Sequence, residues 1–292
     1  MPELPEVETI RRVMDTELVG ATIARVDVRR ADVIAHPAAS SFAARLVGAQ
    51  IVSTGRRAKF LLFRLASGEM LVIHLRMTGC VLVMPAGTPE EPHTHVVFHL
   101  ADGREWRFSD TRRFGRLWLL TPEEAEKGEL CGFDQLGLEP LSAPVTGAAL
   151  YAHLHPRRKA IKDCLLEQTF IVGIGNIYSD EILFSVGIHP ARLACDLTHA
   201  ECDRLAAAIP ARLQYFVETN AISPEDYRET KGKDYRNTPF LQVYGHAGEP
   251  CPVCGTALEK MRLGGRSSTF CPHCQPLKKG RRKPATRSPQ KP

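Results

Sequence analysis

The sequence has no apolar run near the roughly 20 residues that a membrane-spanning helix needs. Its first residues carry acids at Glu3, Glu6 and Glu8 and lack the apolar core of a secretory signal, so we expect a protein that is not exported. It also contains no internal repeat, which argues against a repeat architecture. Nine cysteines in a protein that is not exported indicate metal ligands or free thiols rather than a disulfide framework.

The body of the chain has no excess of basic charge. Residues 278–292 hold seven Lys or Arg and no acid, so the 277 residues before them carry 31 basic and 33 acidic side chains, a net charge of −2. The +5 of the whole chain therefore comes from its end. A polyanion-binding surface in the body must arise from segregated charge. We expect residues 277–292 to form a disordered basic tail.

The apolar patterns predict an α+β chain of several domains, as a length of 292 residues suggests. Residues 3–18 have helical spacing, whereas 21–120 consist of short β-rich runs with a hairpin at Asp102-Gly103, typical of an antiparallel sandwich or barrel. Later segments are helical, and Pro210 should kink or divide the helix expected near 198–219. We expect a sheet domain at 1–130, a linker at 131–147, a helical domain at 148–240, a small module at 241–276 and the tail at 277–292.

Four cysteines near the end have the spacing of a metal site. The sequence reads C-x2-C, sixteen residues, C-x2-C, with the pairs Cys251/Cys254 and Cys271/Cys274. Each pair presents two thiolates to one side of a tetrahedral Zn²⁺, and four thiolates leave no open position for water. We therefore expect one structural zinc, with an iron–sulfur cluster or redox thiols as alternatives. The segment between the pairs reads as a β-hairpin that turns at Gly264-Gly265 and exposes Arg266.

Pro2 follows the initiating methionine, whose removal would leave a secondary amine at the terminus. Such an α-amine has an unperturbed pKa of about 7.7–8.0, so part of it is a neutral nucleophile at physiological pH. Attack on a carbonyl-level carbon would give an iminium, equivalent to a lysine Schiff base, with Glu3 nearby to move protons. The alternative is that Pro2 and Pro5 only stiffen the start of a helix.

Several distant motifs then point to one family. They are PELPEVETIRR at 2–12, RRAKF at 56–60, DTRRFG at 110–115, GIGNIYSDEILFSVGIHP at 173–190 and LQVYG at 241–245. With the cysteine pairs, they make residues 2–275 closely resemble the formamidopyrimidine-DNA glycosylases, which are bifunctional 8-oxoguanine DNA glycosylase/AP lyases. The resemblance implies an N-terminal antiparallel β-sandwich with a catalytic N-terminal helix, a helix–two-turn–helix domain and a C-terminal zinc β-hairpin. DNA would lie in the cleft between the domains.

The same resemblance implies the catalytic roles. Pro2 matches the nucleophile that attacks C1′ of the damaged nucleotide, and Glu3 matches the general acid that protonates the opening sugar. Glu3 would need burial to stay protonated, because a helix N-terminus favours its charged form. Lys59 matches a lysine for phosphate contact and proton transfer, although a solvated strand lysine is the alternative from the residues alone. Arg266 matches the arginine of the zinc hairpin that grips phosphate during δ-elimination.

The resemblance also implies DNA contacts. Met77, Arg112 and Phe114 match the residues that fill the space left by an extruded nucleotide, although strand periodicity also permits Met77 and Phe114 in a core. Asn176 opens a helix after two glycines, where free N–H groups suit a phosphate. His93, Arg157 and Lys162 match further contact positions and would otherwise be ordinary surface residues.

One segment departs from the family pattern. The loop that helps cover the extruded base is usually small and flexible, but here residues 218–240 include Lys231, Lys233, Asp234 and Tyr235. The sequence therefore does not decide which damaged base is preferred, while the proline chemistry is unaffected.

The resemblance implies base excision repair of oxidised purines in duplex DNA by a monomer with one structural Zn²⁺, located in the cytoplasm at the nucleoid. The nearest alternative is the related endonuclease VIII branch, which prefers oxidised pyrimidines. PELPEVET and Phe114 argue against that branch. A non-catalytic DNA-binding zinc protein and an N-terminal-proline tautomerase are more distant alternatives. The intact set Pro2, Glu3 and Lys59 argues against the former, and the zinc module against the latter.

Overall fold

The N-terminal helix α1 spans Leu4–Leu18, and its sequence explains both its start and its buried face. Pro5 lies in its first turn, where a missing N–H leaves no hydrogen bond unmade. Val7, Ile10 and Met14 repeat at helical spacing and are at most 1% exposed. The helix therefore presents one apolar face to the core, as residues 3–18 predicted.

The structure is a computed structural model that describes residues 1–143, 145–232 and 236–278. The chain divides into two compact units. Unit 1 comprises Met1–Pro144, Glu167–Tyr178 and Pro210–Leu241, and unit 2 comprises Val145–Leu166, Ser179–Ile209 and Gln242–Pro292. Within the described ranges, no helix is long and apolar enough to cross a membrane.

Unit 1 contains two β-sheets. Its strands are β1 (Ile23–Val28), β2 (Ile34–His36), β3 (Ile51–Arg57), β4 (Phe60–Leu65), β5 (Met70–His74), β6 (Gly79–Met84), β7 (Thr94–Leu100), β8 (Glu105–Asp110) and β9 (Arg116–Leu120). One sheet has the order β1-β7-β8-β6 and the other β2-β9-β5-β4-β3. All pairs are antiparallel except β2 with β9. The expected hairpin joins β7 to β8, with Gly103 at a φ of 89°.

The two sheets enclose a shared apolar core that also receives α1. Trp106 of β8 stacks on Phe98 of β7 at 4.5 Å between ring centroids, and it meets Phe63 of β4, in the other sheet, at 4.6 Å. All three rings are completely buried. Full burial of side chains of this kind contributes about 1.5–3 kcal/mol each. Unit 1 also contains the short helices α2 (Ala39–Leu46), α3 (Pro122–Lys127) and, later in the chain, α8 (Pro224–Glu229).

Unit 2 is helical with a C-terminal hairpin. Helices α4 (Gly147–Leu154) and α5 (Ile161–Leu166) belong to it, as do the later part of α6 (Asn176–Ser185) and the earlier part of α7 (His199–Thr219). Strands β10 (Glu259–Leu263) and β11 (Arg266–Phe270) pair through a two-residue turn. Phe184 of α6 packs in one apolar cluster with Val243 and Leu258 beside the cysteines.

Helix α7 continues through Pro210, so the expected division of this helix does not occur. The boundary between the two units falls at this proline. The domain bounds expected from the sequence remain a prediction, because the units are assembled from separate stretches of chain rather than from consecutive ones. Lys233, Asp234 and Tyr235 and the tail from 279 onward lie outside the described residues.

Candidate active site and nucleic-acid interface

Glu3 lies against the first turn of α6. Its carboxylate accepts hydrogen bonds from the backbone N–H groups of Gly175 at 2.8 Å, Ile177 at 3.0 Å and Tyr178 at 3.3 Å. These are N–H groups that a helix start leaves without internal partners. The backbone glycine at 175 makes the approach possible, since a Cβ there would lie 2.3 Å from the carboxylate carbon. Sequence segments 172 residues apart thus meet at one carboxylate.

Burial raises the pKa of Glu3 above its usual range, against the opposing effects of the Lys59 charge and of the N–H donors Ile177 and Tyr178. The neighbouring Glu6 carboxylate also raises this pKa. Glu3 is only 2% exposed, so the burial that a general acid would need is present. A carboxyl group in this setting keeps its proton at a higher pH than one in water.

Pro2 is buried and Met1 is 46% exposed. Removal of Met1 would turn the Pro2 ring nitrogen from an amide into a secondary amine, with Glu3 as its sequence neighbour. The nucleophile and the candidate acid would then be consecutive residues.

Glu6 forms a buried network that the sequence reasoning missed. Its carboxylate accepts hydrogen bonds from the Glu3 N–H at 2.8 Å, from the Asn237 side-chain amide at 2.7 Å and from the Tyr178 hydroxyl. The three-residue spacing of Glu3 and Glu6 is that of a capping box and could have revealed part of it. Through this network, Asn237 is bonded to the N-terminal residues.

Lys59 lies in the turn between β3 and β4 and is 7% exposed, so the solvated strand lysine considered above does not describe it. Its ammonium donates a hydrogen bond to the Ile174 carbonyl at 2.9 Å. The preceding Ala58 has a φ of 53°, a left-handed conformation that is strained for a residue with a side chain. Glu139 holds this turn, because it accepts from the Ala58 N–H and from Arg56 Nη1 at 2.9 Å.

His74 is a second residue that the sequence reasoning missed. It ends β5, and its ring meets Phe60 edge-on at 4.4 Å between centroids. Burial, reinforced by the charges of Arg76 and Lys59, lowers the pKa of His74 to about 3. The imidazole is therefore neutral at physiological pH, as its acceptance of the Arg76 N–H at Nδ1 requires.

Three residues expected to fill the vacated space are exposed in two loops of unit 1. Met77 is 44% and Phe114 48% exposed, so neither is a core residue. The Arg112 guanidinium lies 4.7 Å from the centroid of the Phe114 ring, within cation–π range. His93 is also exposed, with a φ of 66°. The structure thus offers apolar and cationic groups at one surface.

The four cysteine sulfurs fit a tetrahedral zinc. All lie within 4.8 Å of one another, with Cys251 and Cys274 at 3.9 Å and Cys254 and Cys271 at 3.5 Å. Zn–S bonds of about 2.3 Å place tetrahedral sulfurs about 3.8 Å apart. The hairpin turns at Gly264 and Gly265, at φ values of 51° and 80°, and Arg266 follows, exposed as predicted.

The expectation that Lys162 lies on the surface is wrong. It is completely buried and donates to Asp180 Oδ1 at 2.8 Å and to the Ser267 carbonyl at 3.1 Å. Asp180 also accepts from the Ser268 hydroxyl at 2.6 Å and the Thr269 N–H at 3.0 Å. Lys162 therefore joins α5, α6 and the zinc hairpin within unit 2, and it has no exposed ammonium for a phosphate.

The other expected DNA contacts lie closer to the surface. Arg157 is half-buried and donates to the His153 carbonyl, and Asn176 is the half-buried first residue of α6. Glu181, which the sequence reasoning missed, accepts from the N–H groups of Gln242, Val243 and Tyr244 at 2.9–3.1 Å. It therefore anchors the LQVYG segment.

The segment that departs from the family pattern, residues 218–240, is attached to the sandwich through Tyr227 and Lys231. The Lys231 ammonium pairs with Glu91 at 3.0 Å, and the Tyr227 hydroxyl donates to the Val81 carbonyl at 3.2 Å. Residue 232 must be glycine, since a Cβ there would lie 2.7 Å from the Cys80 sulfur.

Comparison with protein families accounts for most of the chain. Residues 1–117 match the formamidopyrimidine-DNA glycosylase N-terminal domain, and residues 136–227 match the H2TH domain of the same enzymes. Residues 248–277 match the zinc finger found in FPG and IleRS. The chain belongs to the formamidopyrimidine-DNA glycosylase family, which confirms the resemblance, the fold and the single structural zinc.

Individual relatives extend over almost the full length. The formamidopyrimidine-DNA glycosylase of Pelotomaculum thermopropionicum is 44% identical over 95% of this chain and all of its own. That of Moorella thermoacetica is 48% identical over 90% of this chain and 95% of its own. The Lactococcus lactis Fpg in a complex with FAPY-dG DNA is 31% identical, with a TM-score of 0.85, over 94% of this chain and all of its own.

Proposed function

We propose that the protein is a bifunctional DNA glycosylase/AP lyase that removes oxidised purines, namely 8-oxoguanine and formamidopyrimidines, from duplex DNA. The observation that carries this proposal is the buried Glu3 carboxylate at the start of α6, next to Pro2. Relatives named formamidopyrimidine-DNA glycosylase and a Lactococcus lactis relative bound to FAPY-dG DNA support the substrate class. We place the activity in the cytoplasm, at the chromosome.

The proposed reaction starts at the Pro2 nitrogen once Met1 has been removed. The amine attacks C1′, the glycosidic bond breaks with its electrons going to the base, and the base takes up the proton that the proline nitrogen loses. Glu3 gives its proton to the ring oxygen as the C1′–O bond opens, and the nitrogen lone pair completes an iminium.

The iminium then withdraws electrons from the sugar. Loss of the C2′ proton allows the C3′–O bond to break, and a second elimination breaks the C5′–O bond, which leaves a one-nucleotide gap. Hydrolysis of the remaining imine frees Pro2. Lys59, next to a strained turn and close enough to influence Glu3, would assist the first proton transfer. Arg266 would hold phosphate for the second elimination.

The remaining roles concern DNA. Met77, Arg112 and Phe114 would occupy the space of the extruded nucleotide, as their exposure permits. Asn176, His93 and Arg157 would contact the backbone. Lys162 is left out of this set, because its ammonium is paired inside unit 2.

A second candidate is excision of oxidised pyrimidines. A Lactococcus lactis relative, 31% identical with a TM-score of 0.86, was solved with DNA that contains an oxidised pyrimidine. The unusual segment 218–240 leaves room for such a preference.

Borohydride trapping tests these proposals. Duplexes with 8-oxoguanine, formamidopyrimidine, thymine glycol or an abasic site would be compared for the native chain and Pro2→Gly, after mass spectrometry has shown the loss of Met1. We expect a covalent adduct with purine lesions that is greatly weakened in the variant. Trapping only with thymine glycol would favour the second candidate. No adduct on any duplex would refute the enzymatic function and leave a DNA-binding zinc protein.

A further inference from the structure

Asp110, the last residue of β8, connects two loops of the sandwich. It is 1% exposed, and its Oδ1 accepts from the Thr78 hydroxyl and from the Arg112 N–H at 3.1 Å. Its Oδ2 accepts from the Gly115 N–H at 2.7 Å. Thr78 belongs to the loop between β5 and β6, whereas Arg112 and Gly115 belong to the loop between β8 and β9. One buried carboxylate therefore fixes both loops.

Each donor to this carboxylate is, or adjoins, one of the three exposed residues described above. Thr78 follows Met77 in the chain, Gly115 follows Phe114, and Arg112 donates through its own N–H. The Arg112 N–H also lies 3.1 Å from the Thr78 hydroxyl, so the two loops are linked directly as well. The relative position of the exposed groups thus depends on bonds at Asp110.

The backbone around Asp110 is strained. Among the described residues, five non-glycine residues have a positive φ, and three of them lie in loops that bond to Asp110: Arg76 at 54°, His93 at 66° and Arg113 at 57°. The Asp110 N–H donates to the His93 carbonyl at 3.0 Å, so a third loop, between β6 and β7, also bonds to this residue. Strain of this kind persists only where surrounding contacts impose it, and it concentrates at functional sites.

The space around the two loops is also full. A Cβ on Gly79 would lie 2.4 Å from the Leu75 carbonyl oxygen, and one on Gly115 would lie 2.7 Å from the Phe108 ring. The loops are therefore closely packed at their bases, while their tips are exposed. This combination restricts the backbone from which the exposed side chains project.

We propose that Asp110 is a positioning residue that holds Met77, Arg112 and Phe114 as one preformed wedge for entry into the duplex. This inference rests on the proposed function. We assign Asp110 a positioning role rather than a catalytic one, because its carboxylate is buried and is bonded to Thr78, Arg112 and Gly115. Hydrogen bonds to an ionised acceptor are stronger than those between neutral groups, which suits a carboxylate for this task. Because the loops are preformed, the entropy cost of ordering the wedge does not have to be met when the nucleotide is extruded.

Asp110→Asn tests the proposal with little change of shape. An amide has one acceptor oxygen, so its NH₂ group must face either the Gly115 N–H or the Thr78 and Arg112 donors. We expect single-turnover excision of 8-oxoguanine from a duplex to fall by roughly ten- to a hundredfold. Cleavage of a single-stranded abasic oligonucleotide should stay unchanged, since no duplex has to be opened. The fluorescence rise of a 2-aminopurine next to the lesion, which reports unstacking, should slow in parallel with excision.

Two further variants serve as a control and as an independent test of the positioning role. Asp102→Asn makes the same substitution in an exposed hairpin turn, where the carboxylate binds Arg104 and no other side chain among the described residues, and it should excise like the native protein. Thr78→Val removes one donor but keeps Asp110, and it should slow excision on its own. Combining it with Asp110→Asn should add less than the sum of the two effects, because both variants remove the same bond. If Asp110→Asn fails to fold, Thr78→Val alone decides the question.

Two results would overturn the positioning role. Either Asp110→Asn and Thr78→Val excise at the native rate, or they lose excision and single-strand cleavage to the same extent, which indicates a general loss of structure. A native protein that cleaves no abasic site and traps no lesion would instead refute the proposed function, so the two failures are distinguishable.

Discussion

Gly175→Ala should disable the candidate acid without touching it chemically. The new Cβ would lie 2.3 Å from the Glu3 carboxylate carbon and 2.4 Å and 2.8 Å from its two oxygens, whereas ordinary contacts begin near 3.4 Å. The carboxylate must retreat by about 1 Å, and a misplacement of that size can cost about a hundredfold in rate. The backbone at Gly175 lies outside the left-handed region, so alanine adds no conformational strain there.

Single-turnover excision of 8-oxoguanine is the appropriate assay, because product release does not contribute to it. The control is Gly55→Ala in β3, whose Cβ would meet Leu62 at an ordinary 3.7 Å. This variant should excise at the native rate. Urea unfolding of both variants would separate a displaced acid from a general loss of stability.

A Gly175→Ala protein that is folded and excises as fast as Gly55→Ala would refute the reasoning. Glu3 would then either not act as the acid or not need its bonds to the start of α6.

Three further predictions concern pH, metal and salt. Because the pKa of His74 is lowered to about 3, the native state binds fewer protons than the unfolded state between that pH and 6.5, so stability should fall on acidification. Between pH 7 and pH 4, the free energy of unfolding, measured with urea, should fall by about 3 kcal/mol more in the native protein than in His74→Asn. An equal fall in both proteins would contradict this prediction. Cys271→Ser should bind less than one zinc per chain by metal analysis, while Cys195→Ser keeps one; full occupancy in Cys271→Ser would be inconsistent with the site. Deleting residues 279–292 removes six Lys or Arg and should reduce the slope of log K against log salt for undamaged duplex, by up to about 5. An unchanged slope would show that the tail does not bind DNA.

Features set by short stretches of sequence were predictable. The apolar spacing of residues 3–18 gave α1, and Gly264-Gly265 between two strand patterns gave the zinc hairpin, because both depend on neighbours within a few residues. The cysteine spacing is equally local. The candidate catalytic residues were predicted from motifs that resemble a known family, and the structure adds the burial that a general acid at Glu3 would need.

Features that depend on distant partners were missed. Nothing near Lys162 in the sequence shows that Asp180 neutralises it inside unit 2. Glu139 bonds to Arg56 across 83 residues, and Thr78 to Asp110 across 32, so no spacing rule identifies either carboxylate. Only the folded chain brings such residues to their hydrogen-bond partners.

The discontinuous composition of unit 1 has a consequence for synthesis on the ribosome. Its core includes Tyr227, and its N-terminal network closes only when Asn237 reaches Glu6. A nascent chain that has reached the end of β9 therefore lacks part of its own core and two partners of Glu6, the Tyr178 hydroxyl and the Asn237 amide. We expect an N-terminal fragment of 130 residues to be incomplete as a folding unit. We also expect the candidate active site to form only late in translation, after Asn237 has been synthesised.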